Sequence, residues 1–228
     1  RNPGTVSSDV HAILSGTGAH SSYTINLGAT HVSRDKFDST TGFNGDATLL
    51  HELTGRSSLR FYLASRLTNT SNNLLDSQAN PDNGSFGGEQ ISSDVIRDNR
   101  VTVVYRRTDS RLNTSISGQV QVIDYEESPN DRKFYELFAD LSYKVAPSLD
   151  TGLKVVYTYL NQDGTDRTDK KYSITGKVSY HLSRKLRTEF AVRYQDRSSD
   201  LKTDEYTEAA VFVGLIWGLG SVPRTGIM

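Results

Sequence analysis

The sequence predicts an all-β protein, an antiparallel up-and-down transmembrane β-barrel with eleven to twelve strands in view and one domain over residues 1–228. Three observations carry this. The chain is only 35% hydrophobic and its mean hydropathy is −0.52, whereas a soluble domain of this size carries ~45–50% apolar residues. Apolar and polar residues alternate with period two through most of its length. The segments between alternating runs are short and long by turns. A membrane barrel meets all three conditions, because its apolar side chains face lipid, its interior is polar, and no central core has to be filled.

Other classes are excluded by the same composition. The longest apolar run, Ala209–Leu219, is too short for a membrane helix, which needs ~20 residues. The chain has no Cys, so it has no disulfide framework, thiol chemistry or Cys-ligated zinc. A formal net charge of −1 lacks the basic excess of a nucleic-acid binder. Low apolar content also suits disordered chains, but regular alternation and 12 Tyr and 8 Phe residues argue for folded strands.

Taken in chain order, the elements are justified by which residues share a face, since successive strand side chains point to opposite sides. A weak strand covers roughly Val6–Ser15. Tyr23, Ile25, Leu27 and Ala29 then oppose Thr24, Asn26, Gly28 and Thr30, and a second weak strand covers Phe43–Leu53. Leu59, Phe61, Leu63 and Leu67 oppose Arg60, Tyr62, Ala64 and Arg66. Val101, Val103 and Tyr105 oppose Thr102, Val104 and Arg106. Leu112, Thr114, Ile116, Gly118, Val120 and Val122 oppose Ser115, Ser117, Gln119 and Gln121. Tyr135 to Val145, and Leu153 to Tyr159, repeat the pattern. It is clearest in Tyr172–Ser183, where Tyr172, Ile174, Gly176, Val178, Tyr180 and Leu182 share one face. Leu186, Thr188, Phe190, Val192 and Tyr194 follow after a tight turn, and Tyr206–Leu219 is apolar on both faces. All five Pro residues fall outside these runs, as they must if the runs are paired strands.

The short connections are Gly16–Ser21, Thr54–Ser57, Thr108–Arg111, Ala146–Asp150 and Ser183–Lys185. The long ones are Arg34–Gly42, Thr68–Asp94, Glu126–Lys133, Asn161–Lys171 and Asp196–Glu205. Short periplasmic turns and long extracellular loops are the habit of outer-membrane barrels, which places the C-terminus on the periplasmic side. Eleven strands cannot close in the even-numbered bacterial manner. Either a weak strand near the N-terminus is missed, or the chain is the C-terminal part of a larger barrel. A start at Arg1, a single Met at position 228 and no recognisable signal peptide point to the second.

Outward aromatic residues gather near strand ends: Tyr135, Tyr143, Tyr157, Tyr159, Tyr172, Tyr180, Tyr194 and, on the last strand, Trp217. Such rings prefer the membrane interface. Tyr135/Tyr143 and Tyr172/Tyr180 are spaced to lie ~26 Å apart along a strand, close to the ~25 Å apolar band once tilted. The alternative is that Tyr is simply a good strand former. With these features the chain resembles bacterial outer-membrane β-barrel proteins. In its closing segment, Gly214, Trp217 and Leu219 match the terminal strand read by the barrel assembly machinery. Phe212 departs from that pattern where a polar residue is usual, and Gly220–Met228 follow where the pattern often ends. Hairpins such as Tyr23–Gly28 and Tyr135–Tyr143 look like the porins linked to exopolysaccharide gene clusters. That resemblance implies passage of a sugar polymer across the outer membrane, and as partners outer-membrane lipid and lipopolysaccharide, the assembly machinery and export components, with no nucleic acid.

If the apolar faces meet lipid, the other faces line a lumen. They carry Arg60, Arg66, Arg106, Lys144, Lys154, Lys177, Arg187 and Arg193 against Asp46, Glu52, Glu136, Asp140 and Glu189, a mild basic excess. Rings of Arg and Lys favour anionic solutes. The competing reading is that these charges pair across strands and hold the wall together, as Arg187 and Glu189 beside Lys177 could. Asp163, Asp166 and Asp169 share one loop but lack the spacing of a calcium loop. The Thr68–Asp94 segment is long enough to fold inward as a constriction, or to remain on the surface. His181 with Ser179 and Ser183 is the one arrangement suggestive of catalysis, and nothing marks a Ser as activated. His11, His20, His31 and His51 lack metal-ligand spacing. The expectation is an outer-membrane pore or conduit for polar solutes or an exported polysaccharide, without enzyme activity, cofactor or metal. The alternative is a non-conducting barrel that sheathes or anchors a partner protein.

Overall fold

In a computed structural model, residues 5–34, 37–69, 95–126, 128–129, 131–165 and 167–218 are described. They form eleven strands: β1 Thr5–Thr17, β2 Ser21–Arg34, β3 Phe37–Thr54, β4 Ser57–Asn69, β5 Val95–Thr108, β6 Leu112–Tyr125, β7 Arg132–Ala146, β8 Leu149–Gln162, β9 Arg167–His181, β10 Leu186–Ser199 and β11 Tyr206–Trp217. Two single 3₁₀ turns, Asp163–Thr165 and Lys202–Asp204, complete the described elements. Each strand pairs antiparallel with its neighbour in sequence, giving one sheet in the order β1 to β11. Among the described residues β1 and β11 are not paired with each other, so the sheet is an open meander with two edges.

The register keeps each face intact across the sheet. One row of paired residues runs Arg60, Val104, Ser117, Phe138, Val156, Ser173, Gln195, Glu208. The next row, on the opposite face, runs Phe61, Val103, Gly118, Leu137, Tyr157, Tyr172. Both rows begin close to the short-turn end of β4 and climb toward the other end by β9 and β10. That climb is the stagger a sheet adopts when it curls with tilted strands.

Burial is the reverse of a soluble protein's. Among the described residues, the buried apolar side chains are Val32, Leu67, Val95, Ile96 and Ile123. Most side chains that alternation assigned to lipid stand exposed or half-buried, the exposed ones including Leu27, Phe61, Leu63, Val101, Ile116, Leu137, Leu153, Ile174, Phe190 and Val213. Leu67, expected on that face, is instead buried against Val32 and Val95. Soluble monomers rarely expose contiguous apolar surface beyond a few hundred Å². Here the exposed apolar side chains run across all eleven strands, and a hydrocarbon solvent removes the penalty.

The strands are longer, and several loops shorter, than the sequence predicts. β2 and β3 continue to Arg34 and from Phe37, through most of the expected Arg34–Gly42 loop. β8 and β9 take in both ends of Asn161–Lys171, and β10 runs into Asp196–Glu205. Apart from Phe37, these extensions are polar on both faces, so alternation is silent there. What holds them is backbone pairing, as in Asn161↔Thr168 and Val32↔Thr40, with side-chain links such as His31 Nδ1 to Thr41 Oγ1 at 2.7 Å. Residues 70–94, most of the expected Thr68–Asp94 loop, lie outside the described residues, as does Asp166. β3 and β4 stop pairing at Gly45↔Ser65 although both run on. Beyond that point Val32, Leu67 and Val95 cluster, and a Cβ on Gly42 would sit 3.1 Å from Leu67 Cδ2.

Candidate pore-lining face

The face carrying Arg60, Thr102, Gln119, Glu136, Lys154 and Lys177 is polar because each of its members lies between outward apolar neighbours in its own strand. Its charges fall into two populations. The first is locked in pairs. Arg187, 6% exposed, places Nη2 3.0 Å from Glu189 Oε1, which also accepts from Ser179 Oγ at 3.2 Å. Arg193 Nη2 lies 2.7 Å from Glu208 Oε1, with its guanidinium 5.2 Å from the Phe212 ring centroid. Asp98 accepts from Arg100 Nη2 at 3.1 Å and from Gln121 Nε2 at 2.9 Å. Arg66 donates to the Tyr62 hydroxyl at 3.1 Å. Glu136 and Asp140 are buried at 8% and 7% exposure, the first opposite Gln119 and Thr158, the second opposite Lys154. Lys154 Nζ lies 5.2 Å from the Phe138 ring centroid.

The second population is free. Arg60 and Arg106 are exposed, Lys144 and Lys177 half-buried. Among the described residues none of the four side chains has a hydrogen-bond or ion-pair partner. All four sit near the short-turn ends of β4, β5, β7 and β9. Arg106 pairs with Ser58, two residues from Arg60, so the two guanidiniums are diagonal neighbours, whose Cα atoms lie ~7–8 Å apart. Carboxylates at this end are mostly engaged: Glu189 as above, and Asp150, whose Oδ2 lies 3.1 Å from His181 Nε2. Glu52 is exposed, opposite Ser58.

The long-loop end is balanced instead. Asp169, 1% exposed, lies 3.0 Å from Arg167 Nε and 3.2 Å from Arg197 Nη2. Arg167 also pairs with Asp204, whose Oδ2 is 3.8 Å from Arg197. The sequence grouped Asp169 with Asp163 and Asp166 in a loop. In the fold Asp169 belongs to β9, and Asp163 pairs with Lys133 at 3.0 Å. The partner carboxylate, Asp204, is remote in sequence, and only the hairpin register brings it near.

The remaining sequence-predicted residues are placed as follows. Tyr135, Tyr143, Tyr157, Tyr172, Tyr180 and Tyr194 are exposed on the apolar face and Trp217 is 71% exposed. Tyr159 is half-buried because its ring meets Tyr135 edge to face at 5.7 Å. Gly214 and Trp217 lie in β11, opposite Glu189 and Leu186. Leu219 lies outside the described residues. The catalytic suggestion does not assemble: His181 engages Asp150, and Ser179 donates to Glu189, which is held by Arg187, rather than to His181. No cluster of three or more metal-ligating side chains occurs among the described residues.

Comparison with known proteins agrees with this architecture. Residues 135–217, spanning β7 to β11, match the family model described as "Putative beta-barrel porin 2". Curated proteins yield no match. Among solved structures, a loop L8 deletion mutant of OmpT, an outer membrane protein of Vibrio cholerae, is similar with a TM-score of 0.54 and 10% identity over 87% of this chain and 63% of that one. In-vitro folded OmpT of Vibrio cholerae in its trimer form gives 0.52 and 9% over 94% and 97%. An anion-selective porin from Comamonas acidovorans gives 0.50 and 16% over 86% and 54%. The chain thus spans 63% of the first of these structures and 54% of the third. The fold is that of an outer-membrane β-barrel.

Proposed function

We propose that the chain forms wall of a water-filled outer-membrane pore that favours anions. The observation that carries this is the free basic group, Arg60, Arg106, Lys144 and Lys177, at the short-turn end of the polar face. Elsewhere on that face most charges are neutralised in pairs, so the unbalanced field in the aqueous path is positive at one mouth. Such a field raises the local concentration of anions and lowers that of cations. The porin description of the family model and the anion-selective porin among the similar structures support the same reading. The mechanism is passive: water, diameter and charge, with no bond made or broken. The strand ends joined by short turns face the periplasm, which puts the basic mouth and the C-terminal end of β11 there.

The class of solute follows from the rings on the polar face. Phe138 with Lys154 above it, and Phe212 with Arg193 above it, offer an apolar surface beside a cation. That combination suits an acidic saccharide, and an exported sugar polymer is the substrate this reading favours. Single-channel recordings in a planar bilayer test it. Under a salt gradient the reversal potential is expected on the anion side, and acidic oligosaccharides are expected to block the current more than neutral ones. Cation preference, or no conductance at all, would overturn the pore in favour of a closed scaffold barrel.

A further inference from the structure

The outer face carries a second arrangement of cations that the pore does not use. Alternation puts Lys133 on the outward side of β7 two residues beyond Tyr135, and Lys170 on the outward side of β9 two residues beyond Tyr172. Tyr159 on β8 lies between them, paired with Tyr135 on one side and Lys170 on the other. Tyr135 and Tyr159 meet edge to face at 5.7 Å, and Tyr172 and Tyr194 lie 5.9 Å apart. These rings form a belt at the long-loop end of the apolar face, where a bilayer's interface would lie. Lys133 stands one outward step beyond Tyr135, and Lys170 one beyond Tyr172 and level in register with Tyr159, at the depth of lipid phosphates. Two strand spacings and one outward step separate their Cα atoms by about 12 Å, so two extended side chains can converge on one group.

We propose that Lys133 and Lys170, seated on the Tyr135–Tyr159 pair, hold a phosphate of lipid A on the outer surface of the barrel. The proposal rests on reading the chain as an outer-membrane barrel whose long-loop end faces outward, into the leaflet built from lipopolysaccharide. Charge complementarity selects the occupant. Lys170 is exposed and, among the described residues, has no acidic partner. Lys133 Nζ contacts Asp163 Oδ2 at 3.0 Å while both side chains stay about half exposed, which leaves ammonium protons to donate. Two other carboxylates lie nearby and are engaged. Asp131, whose charge also acts on Lys133, accepts from the Tyr125 N–H at 2.9 Å, and Asp196 opposite Tyr172 accepts from Thr207 Oγ1 at 2.7 Å. The tyrosine rings supply a flat apolar floor for the first carbons of the acyl chains, and the lysine stems run over it with their charged ends toward the headgroup.

Native mass spectrometry of the protein in mild detergent tests this, with bisphosphorylated lipid A, dephosphorylated lipid A, phosphatidylglycerol and inorganic phosphate as probes. The protein is expected to retain bisphosphorylated lipid A and to lose the dephosphorylated form. Lys133→Ala and Lys170→Ala should each weaken retention about fivefold, as expected for one cation at a charged membrane surface. Lys170→Arg should keep retention, and Arg184→Ala/Lys185→Ala, in the turn at the opposite end, should not change it. Heat-modifiable migration of every variant reports the folded barrel independently. A folded double variant that retains lipid A as well as the parent would overturn the site. Equal retention of phosphatidylglycerol or the dephosphorylated lipid, or competition by inorganic phosphate alone, would do the same. A parent chain that shows no heat-modifiable form would instead overturn the membrane reading on which the site rests.

Discussion

Arg60, Arg106, Lys144 and Lys177 differ from their neighbours in what surrounds them, not in chemistry. Arg187 carries the same guanidinium group as Arg60, but Glu189 lies 3.0 Å from it. Removing one charge of such a pair strands the other, whereas removing a free one leaves nothing behind. The two groups should therefore answer mutation differently. Replacing all four free residues with Gln is expected to bring the anion-to-cation permeability ratio close to one with little loss of folding. Replacing them with Glu should reverse the preference. Both effects should fade at 1 M salt, where the screening length falls to about 3 Å, and reversal potentials at two salt concentrations measure this. Asp98→Ala should act on stability instead. It strips Arg100 and Gln121 of their shared acceptor and should cost about 1–3 kcal/mol in urea unfolding, with selectivity little changed. A change confined to selectivity would show that Asp98 faces the ion path as a free charge.

At the scale of elements, the strands were legible and their ends were not. Period two is visible wherever one face meets lipid and the other water, as in Tyr172–Leu182. It vanishes where both faces meet water, and there β8, β9 and β10 run on unseen. The long-loop ion cluster was hidden for the same reason. Arg167, Asp169, Arg197 and Asp204 come from three separate segments, and only the register of β9 on β10 unites them. The pairing of Arg187 with Glu189 was legible, being two residues apart on one strand. The Asp150–His181 contact was not, since Asp150 read as turn. The turns at the short ends carry their own chemistry. Asp109, between β5 and β6, takes Arg107 Nε at 2.7 Å and Arg56 Nη1 at 3.3 Å, tying its turn to the one between β3 and β4. The hydrogen bond from Arg107 holds the Asp109 carboxyl below its ordinary value of 3.8. A carboxyl lowered by folding contributes stability above its unfolded pKa and loses it as pH falls through the folded value. The tie should thus hold at neutral pH and release below about pH 4. Exchange of the Asp109 amide, bonded to Leu112 O at 2.8 Å, should accelerate there beyond the intrinsic rate. Asp109→Asn should remove that pH step; an unchanged step would assign it to another group.

At the scale of the molecule, the decisive quantity is which solvent the exposed apolar face meets. In water, side chains such as Val213, 82% exposed, and Trp217, 71% exposed, carry the full hydrophobic penalty, roughly 25 cal/mol per Å² of apolar surface. In a bilayer they carry none, while the polar face keeps its water inside the curl of the sheet. The chain holds a single Trp, at the short-turn end of β11 opposite Leu186, so its fluorescence reports one known place. An indole in a membrane interface has its ring among the first acyl carbons and its N–H at the headgroups. Folding into lipid vesicles should therefore shift Trp217 emission to the blue. Lipids brominated near the carbonyl end should quench it more strongly than lipids brominated near the chain terminus. The reverse depth order would place β11 deeper than its girdle position requires, and no quenching by either would mean that this face meets protein or water instead. Phe190→Trp in a Trp217→Phe background extends the test: Phe190 pairs with Val213, four residues toward the membrane centre from Trp217. Quenching there should favour the deeper bromines. The pair of profiles measures the apolar band along one strand, and a soluble β-sheet of the same topology would show neither.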